Sequence, residues 1–247
     1  MAALREEEVV TGGSMSVDET NARARTLLDQ YGHLQGISLI EPMVHEEFAG
    51  KITMTSSFGT EAAALLALVA EVDRNLPVIF LDTRKLFGET HRYREQLVDQ
   101  LGLTNIRIMR PDETKLKAED PEGMLFAKDG NRCCFIRKVE PLQRALQGYD
   151  AWLTGRKRFH GGERGTLPVI ETAGTRIKVN PLAGYNRQDI EDIFENRALP
   201  RHPLESEGYM SIGCMPCTDR VDASVSDVRA GRWAGQDKTE CGIHYII

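Results

Sequence analysis

The alternation of short apolar runs with helix-forming segments constrains the fold of this sequence more than any other feature. Val78–Leu81 is a continuous apolar run, typical of a strand buried on both faces of a parallel sheet. Helix-forming segments flank it at Ala62–Val72 and Glu89–Leu101. The pattern predicts a doubly wound, mostly parallel α/β sheet covered by helices on both faces. Further strands are predicted at Lys51–Ser56, at Ile106–Met109, at Ala151–Thr154, and in a hairpin of Pro168–Glu171 and Arg176–Val179 around Ala173-Gly174.

Three later segments complete the prediction of elements. The cysteine-bearing segment Cys133–Leu146 has helical spacing and follows a polar, loop-like stretch at 111–131. Asn186 is expected to cap a helix at Arg187–Asn196, because its side chain can accept a backbone hydrogen bond. Beyond Pro200 the sequence becomes irregular and rich in Gly, Pro and Cys.

The length of 247 residues suits one large domain with a sizeable core. The acidic stretch 1–17 is predicted to be a disordered leader or an added extension, since Met15 offers an alternative start. The rest, 18–247, is expected to form a single domain. Its parts are N-terminal helices at 18–48 with a helix at 18–31, an α/β core at 50–200, and an irregular C-terminal segment at 201–247.

Charge and hydropathy restrict the partners. A net charge of −6 argues against binding a nucleic acid polymer, which requires many cations. The basic stretch Arg156–Arg164 is a local exception that suits a small anionic ligand, although a solvated surface loop would also fit. No apolar run approaches the ~20 residues of a membrane-spanning helix, and the N-terminus lacks the apolar core of a secretory signal. We therefore expect a cytoplasmic protein without a membrane partner.

Five cysteines cannot all pair with one another in disulfides within one chain. Cys133-Cys134 and Cys214-x-x-Cys217 supply four thiolates in two pairs, as metal centres require. Neighbouring residues on a helix point ~100° apart, which mildly favours a centre as wide as a [4Fe–4S] cluster. A Cys₄ zinc site, a redox-active dithiol at the second pair, and buried thiols without metal remain alternatives.

Two further features are candidates for chemistry. The turn 56–61, Ser-Ser-Phe-Gly-Thr-Glu, follows a predicted strand and could bind an anion through its hydroxyls and backbone amides. It is neither G-x-G-x-x-G nor a P-loop, so a purely structural turn is the alternative. Cys241 lies close to Lys238 and His244, whose positive charge would favour a reactive thiolate. An unpaired surface thiol is the other interpretation of Cys241.

Several short motifs together resemble one known family, the sulfonucleotide reductases, over about residues 50–247. They are Ser-Ser-Phe-Gly-Thr-Glu at 56–61, Phe-Leu-Asp-Thr at 80–83, Leu-Phe-Gly-Glu-Thr at 86–90, Cys-Cys-Phe-Ile-Arg-Lys at 133–138, Cys-Met-Pro-Cys at 214–217, Arg-Ala-Gly-Arg-Trp at 229–233, and Lys-Thr-Glu-Cys-Gly-Ile-His at 238–244. The two cysteine motifs resemble the iron–sulfur branch, the thioredoxin-dependent assimilatory adenosine 5′-phosphosulfate reductases. The resemblance implies an adenine nucleotide α-hydrolase-like fold with a modified pyrophosphate loop.

The resemblance also implies roles for individual residues. Cys241 would be the catalytic nucleophile, and Cys133, Cys134, Cys214 and Cys217 would hold a [4Fe–4S] cluster, with Lys138 between cluster and substrate. The substrate would be bound by Ser56, Ser57, Phe58, Gly59, Thr60, Glu61, Leu81, Asp82, Thr83, Lys138, Gly155, Arg156, Arg164, Arg229, Arg232 and His244. The family's loop usually begins G-x-R-R-[DE]-Q-S, whereas residues 155–161 read Gly-Arg-Lys-Arg-Phe-His-Gly and lack the acidic-Gln-Ser element.

The implied reaction is the reduction of adenosine 5′-phosphosulfate to sulfite and AMP, in sulfate assimilation and cysteine biosynthesis. An S-sulfocysteine would form on Cys241, and reduced thioredoxin would release it. A reductase acting on the 3′-phosphorylated nucleotide, or on both nucleotides, is the nearest alternative. A non-catalytic metal-binding sensor and an ATP-dependent ligase or sulfurtransferase are more distant ones, and a homo-oligomer is possible.

Overall fold

Six strands form one sheet at the centre of the protein, in a computed structural model that describes residues 15–222, 224–225, 227–233, 238 and 240–244. Five pairs of neighbouring strands are hydrogen-bonded to each other, and four of these pairs are parallel. In chain order the strands are β1 (Ile52–Ser56), β2 (Val78–Leu81), β3 (Ile106–Met109), β4 (Ala151–Leu153), β5 (Ile170–Ala173) and β6 (Arg176–Val179). Their spatial order is β3-β2-β1-β4-β6-β5.

The sheet confirms the predicted doubly wound, mostly parallel α/β architecture. Its central strands β1, β2 and β4 are almost entirely buried, as expected for strands covered on both faces. The antiparallel hairpin β5–β6 was predicted, but β5 begins two residues later than expected. Its register places Ala173 opposite Arg176, so the turn is the two-residue link Gly174-Thr175, with Gly174 at φ +60°.

Helices cover the sheet and fill the connections between strands. They are α1 (Val17–Tyr31), α2 (Ile37–Pro42), α3 (Ala62–Val72), α4 (Gly88–Leu101), α5 (Glu113–Glu119), α6 (Leu125–Lys128), α7 (Gly130–Cys134), α8 (Glu140–Ala145) and α9 (Arg187–Asn196). Asn186 caps α9 with a capping box, as predicted. Ser16 caps α1 in the same way, so the proposed leader is wrong at its last two residues, while residues 1–14 lie outside the described chain.

The prediction of a loop over 111–131 is wrong, because α5, α6 and the start of α7 lie there. Neither α5 nor α6 buries a side chain, so the stretch carries no apolar periodicity that would have indicated a helix. Instead, Asp112 and Asp129 accept hydrogen bonds from the backbone N–H groups of Lys115 and Arg132. The predicted helix from Cys133 to Leu146 is interrupted by a π-helical turn at Phe135–Val139.

The strand order reverses between β1 and β4, and this switch point positions the site. In open α/β sheets, the loops after two such strands diverge and leave a crevice at their carboxyl ends. The C-terminal segment lies over this edge and is fastened there by the Met215 N–H, which donates to the Lys85 carbonyl at 2.7 Å. Among the described residues, no helix is both long and apolar enough to cross a membrane.

Candidate active site

A cavity of about 220 Å³ lies at the carboxyl ends of β1 and β4. Its walls come from the turn after β1, the basic loop after β4, and the C-terminal segment, which folds over the opening. The structure thus brings together residues that are almost two hundred positions apart in sequence. The predicted residues that line it are Ser56, Ser57, Gly59, Thr60, Glu61, Leu81, Thr83, Lys138, Gly155, Arg156, Arg164, Arg229, Arg232 and Cys241.

The turn after β1 is held by its own hydroxyl groups. Ser56 Oγ accepts a hydrogen bond from the Phe58 N–H at 3.2 Å, and Ser57 Oγ accepts one from the Gly59 N–H at 3.3 Å. The Thr60 hydroxyl donates to the Met210 carbonyl at 3.1 Å, which links the turn to the C-terminal segment. The predicted hydroxyl groups therefore shape the turn in addition to facing the cavity.

Phe58, Asp82 and His244 were predicted to bind substrate, but the structure does not place them among the lining residues. Phe58 is fully buried at φ +48° and packs edge-to-face on Phe80, with ring centroids 5.4 Å apart, so it anchors the turn. Asp82 accepts a hydrogen bond from Arg110 Nε at 3.0 Å instead. Sequence alone could not reveal this, because adjacent strand and turn residues point in different directions.

Glu61 is the centre of a buried charge cluster in the wall of the cavity. Lys157 Nζ lies 2.7 Å and His160 Nε2 lies 2.9 Å from Glu61 Oε2. Burial tends to raise the pKa of Glu61, but Lys157 and His160 outweigh it and hold that pKa well below its usual range. Burial lowers the pKa of Lys157 and of His160 despite their contacts with Glu61. Neither Lys157 nor His160 was assigned an individual role from the sequence, although the basic stretch contains both.

Glu240 joins the basic loop to the C-terminal segment and was also missed by the sequence analysis. Its carboxylate accepts two hydrogen bonds from Arg164, at 2.6 Å and 2.9 Å, and one from Arg229 at 3.1 Å. The same carboxylate accepts the Cys241 N–H at 2.9 Å. The nucleophile candidate is therefore positioned through its neighbour, and only the motif Glu-Cys-Gly could have indicated this.

Cys241 is buried in the cavity wall, and its surroundings favour the thiolate. When Cys134 is a free thiol, its hydrogen bond to Cys241 is the largest influence that lowers the pKa of Cys241, whereas a metal-bound Cys134 would have no hydrogen to donate. Burial opposes ionisation, but Lys138, the Ile243 N–H and Arg232 add to the lowering, and the net pKa lies well below that of an ordinary thiol. The predicted roles of Lys238 and His244 differ, since Lys238 Nζ lies 3.2 Å from Cys134 Sγ and His244 lies outside the cavity lining.

The other four cysteines share a second, smaller cavity of about 10 Å³ beside the first. Cys133 and Cys134 come from the end of α7. In the C-terminal segment, Cys214 precedes a 3₁₀ turn at Met215–Cys217, and Cys217 is the last residue of that turn. Lys85, Arg137 and Lys138 line the same space, so cations surround a set of four potential thiolates. By chemical type, four cysteine thiols are the donor set of a Cys₄ centre. No three metal-binding side chains among the described residues are grouped closely enough to hold a single ion.

Lys138 and Trp233 line both cavities and form the partition between them. Burial disfavours a charged Lys138, but Cys214, Cys241 and Cys134 outweigh it and raise the pKa of Lys138 above its usual value. Trp233 was not assigned a role from the sequence. Its indole ring forms cation–π contacts with Arg229, Arg232 and Lys238. Its ring centroid is 4.5 Å from the Arg232 guanidinium and 5.4 Å from that of Arg229.

The comparisons with known proteins agree on the family. Residues 51–220, more than half of the chain, match the phosphoadenosine phosphosulfate reductase domain. A relative from Mesorhizobium japonicum, called adenosine 5′-phosphosulfate reductase, is 49% identical over 92% of this chain and 89% of its own length. This chain belongs to the sulfonucleotide reductase family. The predicted family and enzyme class are confirmed.

Another relative and a solved structure are also similar to this sulfonucleotide reductase. A relative of the same name from a Chelativorans species is 47% identical over 87% of this chain and 88% of its own length. Among solved structures, the phosphoadenylyl-sulfate reductase of Candida auris in complex with phosphate has a TM-score of 0.66 and 25% identity. That match covers 85% of this chain and 99% of the other. It confirms the predicted fold of the reductase.

Proposed function

We propose that this sulfonucleotide reductase reduces adenosine 5′-phosphosulfate to sulfite and AMP with Cys241 as its nucleophile. The observation that carries the proposal is the arrangement of the main cavity. The buried Cys241 thiol shares its wall with Arg164, Arg229, Arg232 and Lys138. A thiolate can approach an anionic substrate only where such cations offset the repulsion. The names of the relatives support the same substrate.

The first step transfers the sulfonate group to the protein. The Cys241 thiolate attacks the sulfur atom of the substrate and forms an S–S bond. The bond between that sulfur and the bridging oxygen breaks, and AMP leaves with the electron pair. AMP is a good leaving group because its phosphate is a weak base, so this step requires no general acid. The product is an S-sulfocysteine on Cys241.

The lining residues have complementary roles in this step. Arg164 and Arg229 converge on one anionic group, now the Glu240 carboxylate, and present donors suited to phosphate or sulfate oxygens. Arg232 and Lys138 lie on the Cys241 side and stabilise the thiolate before attack. The turn 56–61, at the carboxyl end of β1, would hold the phosphosulfate, and Leu81, at the end of β2, would line the adenosine pocket.

The second step requires an external dithiol, for which reduced thioredoxin is the proposed partner. One thioredoxin thiolate attacks Cys241 Sγ and expels sulfite, and the second thiol then resolves the mixed disulfide and regenerates the Cys241 thiolate. Electrons therefore pass from the dithiol to the sulfur that departs as sulfite. We place this reaction in the cytoplasm, in sulfate assimilation for cysteine biosynthesis.

The four paired cysteines are proposed to hold a [4Fe–4S] cluster. Support comes from their shared cavity, the cations around it and the Cys-Cys and Cys-x-x-Cys spacing. When bound, the cluster would supply a fixed structural crosslink and an electrostatic field next to Lys138. Thr83 would contact both sites. Its hydroxyl lies 3.2 Å from Cys214 Sγ, and the residue also lines the main cavity. Iron and acid-labile sulfide analysis of anaerobically purified protein should give about four of each per chain.

Turnover of the two candidate nucleotides tests the substrate. We expect sulfite from adenosine 5′-phosphosulfate with reduced thioredoxin, and at least about a hundredfold lower kcat/KM for the 3′-phosphorylated nucleotide, an effect of about 3 kcal/mol. Comparable kcat/KM for the two nucleotides would instead identify a dual-specific reductase. Sulfite from neither would refute the proposed reaction.

A further inference from the structure

His160 contacts two charged partners through its two ring nitrogens. Nδ1 lies 3.0 Å from Arg164 Nη1, and Nε2 lies 2.9 Å from Glu61 Oε2. A guanidinium can only donate, so Nδ1 must accept its hydrogen bond. The hydrogen of the neutral ring is then on Nε2 and is donated to the Glu61 carboxylate. Both contacts are therefore satisfied by one neutral tautomer of a largely buried side chain, which is 12% exposed.

These contacts extend to the nucleophile. Arg164 donates to Glu240 through Nε at 2.6 Å and Nη2 at 2.9 Å, which leaves Nη1 for His160. Glu240 in turn accepts the Cys241 N–H at 2.9 Å. A hydrogen-bonded path thus runs from the turn after β1, through the basic loop, to the C-terminal segment. In this path, His160 connects Glu61, at the sheet edge, to Arg164. Arg164 in turn binds Glu240, the neighbour of Cys241 in the C-terminal segment.

We propose that His160 is a positioning residue, which orients Arg164 by accepting its Nη1–H while donating to Glu61. The proposal rests on the assignment of Cys241 as nucleophile, since Arg164 affects Cys241 through Glu240. It also accounts for the departure from the family's loop motif. His160 stands where that motif has Gln, and a Gln side chain likewise offers one acceptor oxygen and an N–H donor. A Gln at this position could therefore form the same pair of hydrogen bonds as His160.

The test measures the single-turnover rate at which labelled adenosine 5′-phosphosulfate forms the adduct on Cys241. His160→Ala should slow it roughly ten- to a hundredfold, the range for loss of a hydrogen bond to a charged group. His160→Gln should restore the rate to within about threefold of wild type, because it keeps both hydrogen bonds. His33→Ala, at an exposed histidine between α1 and α2, serves as the matched control.

A double-mutant cycle separates positioning from loop folding. If His160 affects Cys241 through Arg164, then His160→Ala should change the rate less than about twofold in an Arg164→Ala background. An equal effect in both backgrounds would overturn the proposal, as would a His160→Gln variant as slow as His160→Ala.

A readout independent of activity is the ¹⁵N NMR spectrum of the His160 ring. It should show the Nε2–H tautomer, with an Nδ1 shift that changes in Arg164→Ala. The Nδ1–H tautomer would refute the inference. The expected tautomer in a protein that forms no adduct would refute the proposed reaction and leave the positioning contact standing.

Discussion

The two sides of the main cavity are built in different ways. The sheet side consists of the turn after β1 and the loop after β4, which follow directly from strands joined by parallel backbone pairing. The C-terminal side has no strand of its own among the described residues. Isolated backbone contacts, such as Met215 N–H to the Lys85 carbonyl, and side-chain ion pairs, such as Arg164–Glu240, hold it in place. Backbone pairing fixes the position of the strand ends. An arginine in a side-chain ion pair, by contrast, can exchange its carboxylate partner for another anion.

This difference suggests a division of roles. The sheet side carries a buried charge cluster around Glu61 that does not include Cys241, so its main effects are on stability and on the shape of the nucleotide site. The C-terminal side carries Cys241 and Glu240, and Glu240 occupies the same arginines that the substrate anion would use. Apart from His160 and Arg164, which connect the two sides, substitutions on them should therefore alter different measurements.

The largest expected effect lies on the C-terminal side. Cys241→Ser should reduce sulfite formation by more than about a thousandfold, because a hydroxyl at neutral pH is a far weaker nucleophile than a thiolate. No label from adenosine 5′-phosphosulfate should remain on the variant after denaturation. Its affinity for AMP, measured by calorimetry, should stay within about threefold of wild type. Label retained on the variant would mean that the nucleophile lies elsewhere.

On the sheet side, Glu61→Ala should lower the free energy of unfolding by about 3 kcal/mol, because it leaves the buried Lys157 without its partner. Urea denaturation measures this change. Glu113→Ala is the matched control, since Glu113 forms an exposed pair with Arg84 that should contribute less than about 1 kcal/mol. Equal destabilisation by the two substitutions would mean that the Glu61 cluster stabilises the fold no more than an exposed ion pair does.

Glu240→Gln tests whether Glu240 and the substrate anion compete. The neutral amide should release Arg164 and Arg229, so AMP should bind about threefold to tenfold more tightly. Adduct formation should slow by a similar factor, because Cys241 loses its charged hydrogen-bond acceptor. Glu207→Gln, in an exposed pair with Arg220, controls for loss of charge. Weaker AMP binding in Glu240→Gln would contradict the competition.

A separate effect, on the pH dependence of stability, concerns Lys178 on β6, which contacts Glu171 together with Arg156. Burial, reinforced by the positive charge of Arg156, lowers the pKa of Lys178 to about 7. Because the unfolded pKa is about 10.4, the unfolded chain binds more protons between these values, and stability should rise with pH above 7. The slope can reach about 1.4 kcal/mol per pH unit. Lys178→Met should abolish this contribution between pH 7.5 and 9, as measured by urea unfolding, and an unchanged slope would argue against it.

The main elements of the fold were predictable from local pattern. Val78–Leu81 and Arg176–Val179 form strands with the predicted bounds, and Asn186 caps α9, because apolar periodicity and capping depend on residues close in sequence. The short helices α5 and α6 were missed for the same reason, since they bury no side chain and leave no periodic signal. Motif resemblance supplied fewer than half of the residues that line the cavity and could not show which side chains point inward.

By itself, the sequence determined the sheet architecture and the family, and it predicted which cysteine is the nucleophile and which four are paired. Only the tertiary structure decided that Phe58 and Asp82 face away from the cavity, that Glu240 links two arginines to Cys241, and that His160 joins Glu61 to Arg164. The physical reason is distance along the chain. Periodicity and capping act over a few residues, whereas the contact between Arg164 and Glu240 spans 76 positions and exists only after the C-terminal segment has folded onto the sheet edge.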